Sequence, residues 1–507
     1  MATKNVLAFD LGASSGRGML ARFDGEKIAL EEIHRFPHNF SMLNAHAYWN
    51  ILSLMDEMKE GLRKCGSGLS GVGFDTWGVD CGLLTKEGDL VSLPGSYRDP
   101  ALNDDNMNDA LIALNPKKET DASTSALLKE NIRNGEIYAF HQTGIASLAY
   151  NTLYKLYYMK KEMPSLLEQT DKILLLPNLI EYFFSGVKHT EYSIASTTQL
   201  YDMQNKCWSQ PIMDCLGFKK DWFTDVDLAG RDLGLLRKGV AEEVKQKDLH
   251  IISAPGHDTA CAVAAVPAKE EEYTFLSSGT WSLMGISSKE MLTGDSIIRD
   301  KISNEGTWDG GYRPTVNIIG LWIQQEIRRN FAAAGREYSF GELAELASKE
   351  KPLQSFIRPD DFMQPGDYPD KIREYCKQTG QPVPETDGAL VRCILESLAL
   401  KYKQIYLSLK SYITWEEKLY IVGGGVQNAL LNQFTANALG IPVITGASEA
   451  TAVGNVMAQL KALGCYTTAQ EKCDILGASF DTDTYLPKDS EAWAEAYERF
   501  EKLYELG

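Results

Sequence analysis

The sequence predicts an α/β protein built from two similar domains, and three observations carry that expectation. A chain of 507 residues exceeds what one hydrophobic core usually organises, while a hydrophobic share of 44% is ordinary for a folded protein. Two turns rich in glycine and hydroxyl residues, DLGASSGR from Asp10 to Arg17 and LSSGTWS from Leu276 to Ser282, each sit between apolar strand-like runs. Composition also changes abruptly near residue 250, from the charged GVAEEVKQKDLH to the small and apolar IISAPGHDTACAVAAVP. The expected domains are residues 1–249 and 250–507.

The elements follow in order. Val6 to Phe9 reads as a first strand, Gly18 to Phe23 as its hairpin partner, and Ile28 to Phe36 as a third strand after the Asp24-Gly25 turn. A helix is expected from Trp49 to Lys64. The stretch LSGVGFDTWGVDCGLLTKEGDLV brings Asp75 to the end of a buried strand and turns at Glu87-Gly88. A helix over Tyr150 to Lys161 carries Leu153, Leu156 and Tyr157 at helical spacing, and a strand-helix unit starts at Ile173. The second half repeats strand, turn and strand in YTFLSSGTWSLMGIS, then gives a long amphipathic helix from about Asp387 to Tyr412. Strand KLYIVGG, helix NALLNQFTANALG, strand IPVITG and helix ATAVGNVMAQLKALG complete it, with Gly440 and Gly464 where helix C-caps belong.

Composition also excludes function classes. A net charge of −18 disfavours nucleic acid and anionic membrane as partners, because both repel an acidic surface over long range. No apolar run approaches the roughly 20 residues of a membrane helix. The N-terminal MATKNVLAFDLG reads as a strand rather than a signal peptide, so a cytoplasmic location is expected. Nine Cys residues are scattered without a CxxC pair or a Cys/His cluster, which fits free thiols rather than disulfides or a zinc site.

Candidate chemistry lies in the turns. In the first, Gly12, Ser14, Ser15 and Gly16 offer open N–H groups and hydroxyls to a phosphate, and Asp10 can hold Mg²⁺ through water; a tight hairpin is the plainer reading. Ser277, Ser278, Gly279 and Thr280 repeat that chemistry in the second half. Asp258 precedes a small-residue helix, where it is either an N-cap or a carboxylate aimed at an attacking hydroxyl. Asp75, Thr76, Trp77 and Asp80 crowd polar groups and a ring as a polyol site would, or as a half-buried hairpin with a core Trp would. The run VGGGVQN, Val422 to Asn428, bares backbone to an adenine or ribose, with Gln427 or Asn428 in reach; Asn317, Gln324 and Gln325 flank GLWI and offer amides.

On DLGASSGR, GFDTWGVDCGLL, PGHDTACAVAAVP, SSGTWS, NIIGLW and IVGGGVQN, the chain resembles the FGGY carbohydrate kinases of the sugar kinase, Hsp70 and actin superfamily, from Asp10 to about Leu460. The resemblance implies two ribonuclease-H-like (actin-like ATPase) domains with a central interdomain cleft, and ATP with Mg²⁺ and a small ketose as ligands. It implies that Asp258 is the catalytic base, and that Ala13, Ser14, Ser15, Gly16, Arg17, Thr280, Gln325 and Gly424 contact ATP. Gly82, His257, Asp258, Thr259 and Asn317 would contact the sugar. Ala13, where the wider family commonly has Thr, and Thr259 after the base match the subgroup acting on L-rhamnulose. The implied reaction transfers the γ-phosphate of ATP to the 1-hydroxyl of that sugar. A kinase of another ketose such as L-fuculose shares every nucleotide motif; an ATP-dependent clamp of the actin or Hsp70 type needs neither Asp258 nor the cluster at 75 to 80.

Overall fold

Two mixed sheets with the same winding organise the chain in a computed structural model that describes residues 3–116 and 125–505. In the first sheet the strands run, from one edge, Ile28–Pro37, Ser15–Phe23, Lys4–Leu11, Gly71–Thr76, His250–Ile252 and Asp232–Leu235. The pairings along that order are antiparallel, antiparallel, parallel, parallel and antiparallel. The second sheet gives the same series over Tyr312–Ile319, Trp281–Ser287, Tyr273–Ser278, Leu419–Val422, Val443–Thr445 and Thr484–Tyr485, and adds a seventh strand, Ser303–Gly306, beyond Tyr312–Ile319. The duplication that is faint in the residues is plain in the strand pairing. Together with its helices this is the architecture of a two-domain, actin-like ATPase fold.

Each sheet's centre is the strand preceding its hydroxyl-glycine turn. Val6 to Leu11 are buried without interruption, the pattern of a strand covered on both faces. Phe9 stacks on Phe74 of the neighbouring strand at 5.5 Å, and Phe74 on Phe184 at 5.0 Å. The outer strand IALEEIHRFP alternates and carries charge, which suits an edge. Asn50 caps the helix Ile51–Lys64 by accepting from the Ser53 N–H at 3.2 Å, and that helix lays Leu54, Met58 and Leu62 into the core.

The chain forms two compact units: unit 1 holds Met1–Ala265, Ser288–Pro314 and Thr451–Ser479, and unit 2 holds Val266–Ser287, Thr315–Ala450 and Phe480–Gly507. The expected division at 249/250 differs from these units. His250–Ile252 pairs in parallel with Gly71–Thr76, so backbone hydrogen bonds keep the segment leading to Asp258 in unit 1. The return of Thr451–Ser479 to unit 1 also departs from a simple two-part reading. The expected helices stand at Thr152–Glu162, Asp387–Lys410 and Ala429–Leu439, and Gly440 caps the last with φ of 75°. Among the described residues no helix is long and apolar enough to cross a membrane.

Candidate active site

Two carboxylates stand near strand ends of unit 1 and a third at a helix start. Asp10 lies near the end of Lys4–Leu11, buried, and Asp75 is its register partner on the adjacent parallel strand. Asp10 is ion-paired with the Arg17 guanidinium, its register partner on the other side. The turn between them is closed by Gly12 N–H donating to Ser15 O at 3.0 Å, and His38 braces it: its N–H donates to Ser14 O at 3.1 Å and its Nε2 lies 2.8 Å from Gly12 O. Ser14 is exposed, and Gly12 and Ala13 are half-buried, as a phosphate contact requires. Gly16 has a packing reason of its own. It is buried in the strand Ser15–Phe23, and a Cβ there would stand 2.2 Å from the Phe36 ring, so packing alone demands glycine.

Asp75 is fully buried; Oδ2 accepts from Asn455 Nδ2 at 2.7 Å and Oδ1 has no hydrogen-bond partner among the described residues. Burial, with Asp10 and then Asp258 as like-charged neighbours, drives its carboxyl well above the usual range. Asn455 is itself oriented by Gln459, which also reaches Leu7 O at 2.9 Å.

Asp258 is the first residue of the helix Asp258–Ala264, with His257 as N-cap, so it does not serve as the cap itself. Its side chain is 31% exposed, and Oδ1 accepts from the Thr259 N–H at 2.6 Å. Burial raises its pKa, opposed by His257 and reinforced by Asp10. The helix is held close to Ala450–Ala462, because a Cβ at Gly454 would meet Cys261 O at 1.8 Å. The preceding loop is fixed from two sides. Thr76 N–H donates to Gly256 O at 3.0 Å, and Glu191 Oε2 accepts from Gly256 N–H at 2.9 Å, Ile194 N–H at 3.1 Å and Ser193 Oγ at 2.6 Å. His257 N–H donates to Ser193 Oγ at 3.3 Å. The structure therefore gathers His257, Asp258 and Thr259, and it adds Glu191, Ser193, Asn455, Glu305 and Arg313, which stand in no motif.

The polar aromatic cluster is a structural knot. Asp80 Oδ2 accepts from Trp49 Nε1 at 2.5 Å, Trp77 Nε1 at 2.7 Å and the Tyr97 N–H at 3.2 Å, while Oδ1 is ion-paired with buried Lys155. Trp77 is 6% exposed, packed between His38 and Trp49. Neither group is open to a polyol; Trp77 is a core ring, and the strands on either side, Gly71–Thr76 and Cys81–Leu84, are wholly buried and pair with other strands rather than with each other. Gly82 is buried in Cys81–Leu84, where a Cβ would meet Leu179 at 2.6 Å and Leu90 at 3.4 Å, so its immediate neighbours are apolar.

Unit 2 builds its turn without carboxylates. Gln325 Nε2 donates to Thr280 Oγ1 at 3.0 Å, bringing two expected ATP contacts together. The turn is tied by backbone: Gly320 N–H and Trp322 N–H donate to Thr280 O at 3.2 and 3.1 Å, and Leu321 N–H to Gly279 O at 2.9 Å. Gly320 is required, since a Cβ would lie 2.6 Å from Gly279 O. In the glycine run Gly423 takes φ of 89°, Gly425 faces Ser278 Oγ at 2.0 Å from its Cβ position, and Gly424 faces open space. Each glycine thus answers a different need: backbone conformation, close packing and access. Asn428 caps the helix Ala429–Leu439 by accepting from Leu431 N–H at 3.1 Å, and Gln324 is buried. Asn317 is exposed in unit 2, while the other expected sugar contacts lie in unit 1.

Asp10 fits a divalent cation held through water. Among the described residues no three His, Cys, Asp or Glu side chains form a direct metal cage; Asp10, near its strand end, is an oxygen donor for a cation that keeps its waters, whereas the fully buried Asp75, its carboxyl driven toward the neutral form, is not.

The duplicated winding, the carboxylate-bearing turns of unit 1 and the glycine-hydroxyl turns of unit 2 define a phosphotransferase of the actin-like ATPase fold class. The family profile described as "FGGY family of carbohydrate kinases, N-terminal domain" matches residues 5–265, and its C-terminal counterpart matches residues 274–463. The chain belongs to the FGGY family of carbohydrate kinases, enzymes that phosphorylate a sugar hydroxyl with ATP. A rhamnulokinase of Bacteroides thetaiotaomicron is 38% identical over 503 residues, spanning 98% of this chain and 99% of that protein. One from Pectobacterium atrosepticum is 36% identical, spanning 99% and 97%. Among solved structures, xylulose kinase from Rhodospirillum rubrum matches with a TM-score of 0.79 at 15% identity, covering 99% of each chain. Gluconate kinase from Lactobacillus acidophilus gives 0.76 at 14%, covering 100% of this chain and 98% of that one.

Proposed function

We propose that the protein transfers the γ-phosphoryl group of ATP to the 1-hydroxyl of L-rhamnulose, giving L-rhamnulose 1-phosphate and ADP in cytoplasmic rhamnose catabolism. The observation that carries the chemistry is Asp258: a partly exposed carboxylate at a helix start, rigidly held, with a raised proton affinity. The rhamnulokinase relatives, alike over almost their whole length, supply the acceptor.

The sugar's O1 forms the new bond to the γ-phosphorus as the bond to the β,γ-bridging oxygen breaks, and the proton of O1 passes to Asp258. An ordinary Asp is ionised at neutral pH but a weak base; burial makes Asp258 a better acceptor, and activity is lost as pH falls through its raised pKa. The Gly12–Ser15 turn and the Thr280–Gln325 pair are the phosphate contacts, and the open backbone at Gly424 is the adenosine contact. Asp10 would hold Mg²⁺ through water, and the ion would supply neutralisation of charge on the phosphates. Arg17, ion-paired with Asp10, orients it for that task.

The test is a ketose panel with ATP and Mg²⁺, reading ADP release and sugar phosphate. L-Rhamnulose should be the preferred acceptor, with phosphate on O1; preference for L-fuculose, or ADP release independent of sugar, overturns the assignment.

A further inference from the structure

Behind the carboxylate proposed as base lies a buried charged group that the sequence motifs do not include. Arg313 is wholly buried. Its Nε donates to Gly306 O at 2.8 Å, one Nη2 reaches both Glu305 Oε2 and His257 Nδ1, the latter at 2.5 Å, and Nη1 has no hydrogen-bond partner among the described residues. Glu305 Oε2 also lies 3.1 Å from His257 Nδ1, and His257 Nε2 lies 3.4 Å from Asp258 Oδ1.

The chemistry of the guanidinium decides the state of the ring. Arg offers N–H donors and no acceptor, so a 2.5 Å approach to Nδ1 requires a bare lone pair there. A neutral imidazole then carries its proton on Nε2, the nitrogen facing Asp258. Were Nδ1 protonated, it would point its hydrogen at the guanidinium, and an imidazolium would stand against a buried positive charge. Glu305 alone would favour the opposite state, Nδ1–H donating to carboxylate. The Arg313 and Asp258 contacts therefore compete with Glu305 for the ring, and the shorter Arg contact wins.

We propose that Arg313 is a positioning residue that holds His257 neutral, with its proton on Nε2 directed at Asp258 and the acceptor sugar. Resting on the reading of Asp258 as base, this gives the pair a purpose. A charged His257 would draw down the proton affinity of Asp258, whereas a neutral donor orients the carboxylate and leaves it basic. The Arg313 guanidinium holds the Glu305 carboxyl well below the usual carboxylate range, so Glu305 stays ionised and balances the buried guanidinium. The titratable and charged groups facing the ring are thus Asp258 on its own helix, Glu305 on Ser303–Gly306 and Arg313 on Tyr312–Ile319.

The test reads the imidazole directly. In the full chain labelled with ¹⁵N-histidine, His257 is assigned by its loss in His257→Gln, and long-range ¹H–¹⁵N correlations report each nitrogen. The wild type should show bare Nδ1 and protonated Nε2 at pH 7, and Arg313→Met should convert the ring to the imidazolium or to the Nδ1–H form paired with Glu305. Glu305→Gln, which leaves the guanidinium in place, should keep the wild-type tautomer. In kinetics Arg313→Met should lower kcat about 10- to 100-fold, the scale for losing the partner behind a functional imidazole, while KM for ATP holds. Nδ1–H or imidazolium in the wild type overturns the proposal even if the variant fails to fold, and so does an unchanged ring in Arg313→Met. Full turnover in Asp258→Asn with the wild-type tautomer intact would instead remove the base and leave the positioning.

Discussion

The two sheets share one winding, yet they treat the ends of their central strands in opposite ways. Unit 1 ends them in carboxylates, Asp10 and Asp75 in register, with Asp258 after the third. Unit 2 ends the first matching strand in Ser278 and follows the second and third with Gly423 and Gly446. The supports differ accordingly. Around Asp258 the loop is tied by buried polar side chains, Glu191, Ser193 and Arg313, whereas the turn at Thr280 is tied by backbone hydrogen bonds and by glycines too crowded to be anything else. A charge that must be aimed needs side chains of fixed geometry behind it; N–H groups that must be approached need side chains removed. On the proposed reading, one scaffold offers a proton acceptor in one copy and an anion cradle in the other.

The largest test of that contrast is Asp258→Asn, expected to lower kcat about 10²- to 10⁴-fold with sugar affinity nearly intact. Near-normal turnover would make the two units alike and remove the acid-base role from unit 1. Gly425→Val is the counterpart in unit 2: the side chain collides with Ser278, and KM for ATP should rise about 10-fold or more while the unfolding temperature reveals any wider damage. Thr280→Ala, losing the hydroxyl that Gln325 holds, should raise KM for ATP about 3- to 10-fold and leave the ketose KM unchanged; equal losses in both would argue against a division of labour.

Acidity sharpens the comparison further. With Asp258 as the proposed base, its raised pKa predicts an acid limb of kcat/KM above the ordinary Asp value of 3.8. The smallest effect concerns Asp75. Its carboxyl is raised in the folded state, so its contribution to stability is full below the unfolded value of 3.8 and is lost as pH rises through the folded pKa. Asp75→Asn should therefore raise the unfolding temperature by about 2 °C at pH 8, with the gain vanishing in acid; thermal scans at both pH values decide it.

What the sequence made legible was local. The hydroxyl-glycine turns, the strand before each and the helix after Asp258 are contiguous, and their periodicity and punctuation are readable within a short window. Arg313, Glu305, Glu191 and Asn455 carry no such signal, because each is a lone polar residue whose meaning depends on a partner distant in the chain. Asp80 illustrates the converse: its surroundings resemble a polyol site in one dimension, and only the convergence of Trp49, Tyr97 and Lys155 shows its acceptors taken. Gly16 likewise fits a phosphate motif by position, although Phe36 explains it. The division of units escaped for a related reason, since strand pairing rather than composition decides where His250–Ile252 belongs.

The return of Thr451–Ser479 to unit 1 has a consequence for how the protein is made. Asp75 receives its hydrogen bond from Asn455, and Leu7 receives one from Gln459, residues that leave the ribosome nearly a full chain later. A nascent chain holding every strand of the first sheet still lacks the helix that closes over it, so its apolar face waits exposed through the synthesis of unit 2. A chain broken off before residue 451 is thus missing part of its first unit, and quality control meets it as an unfinished core rather than as a whole domain with a tail removed.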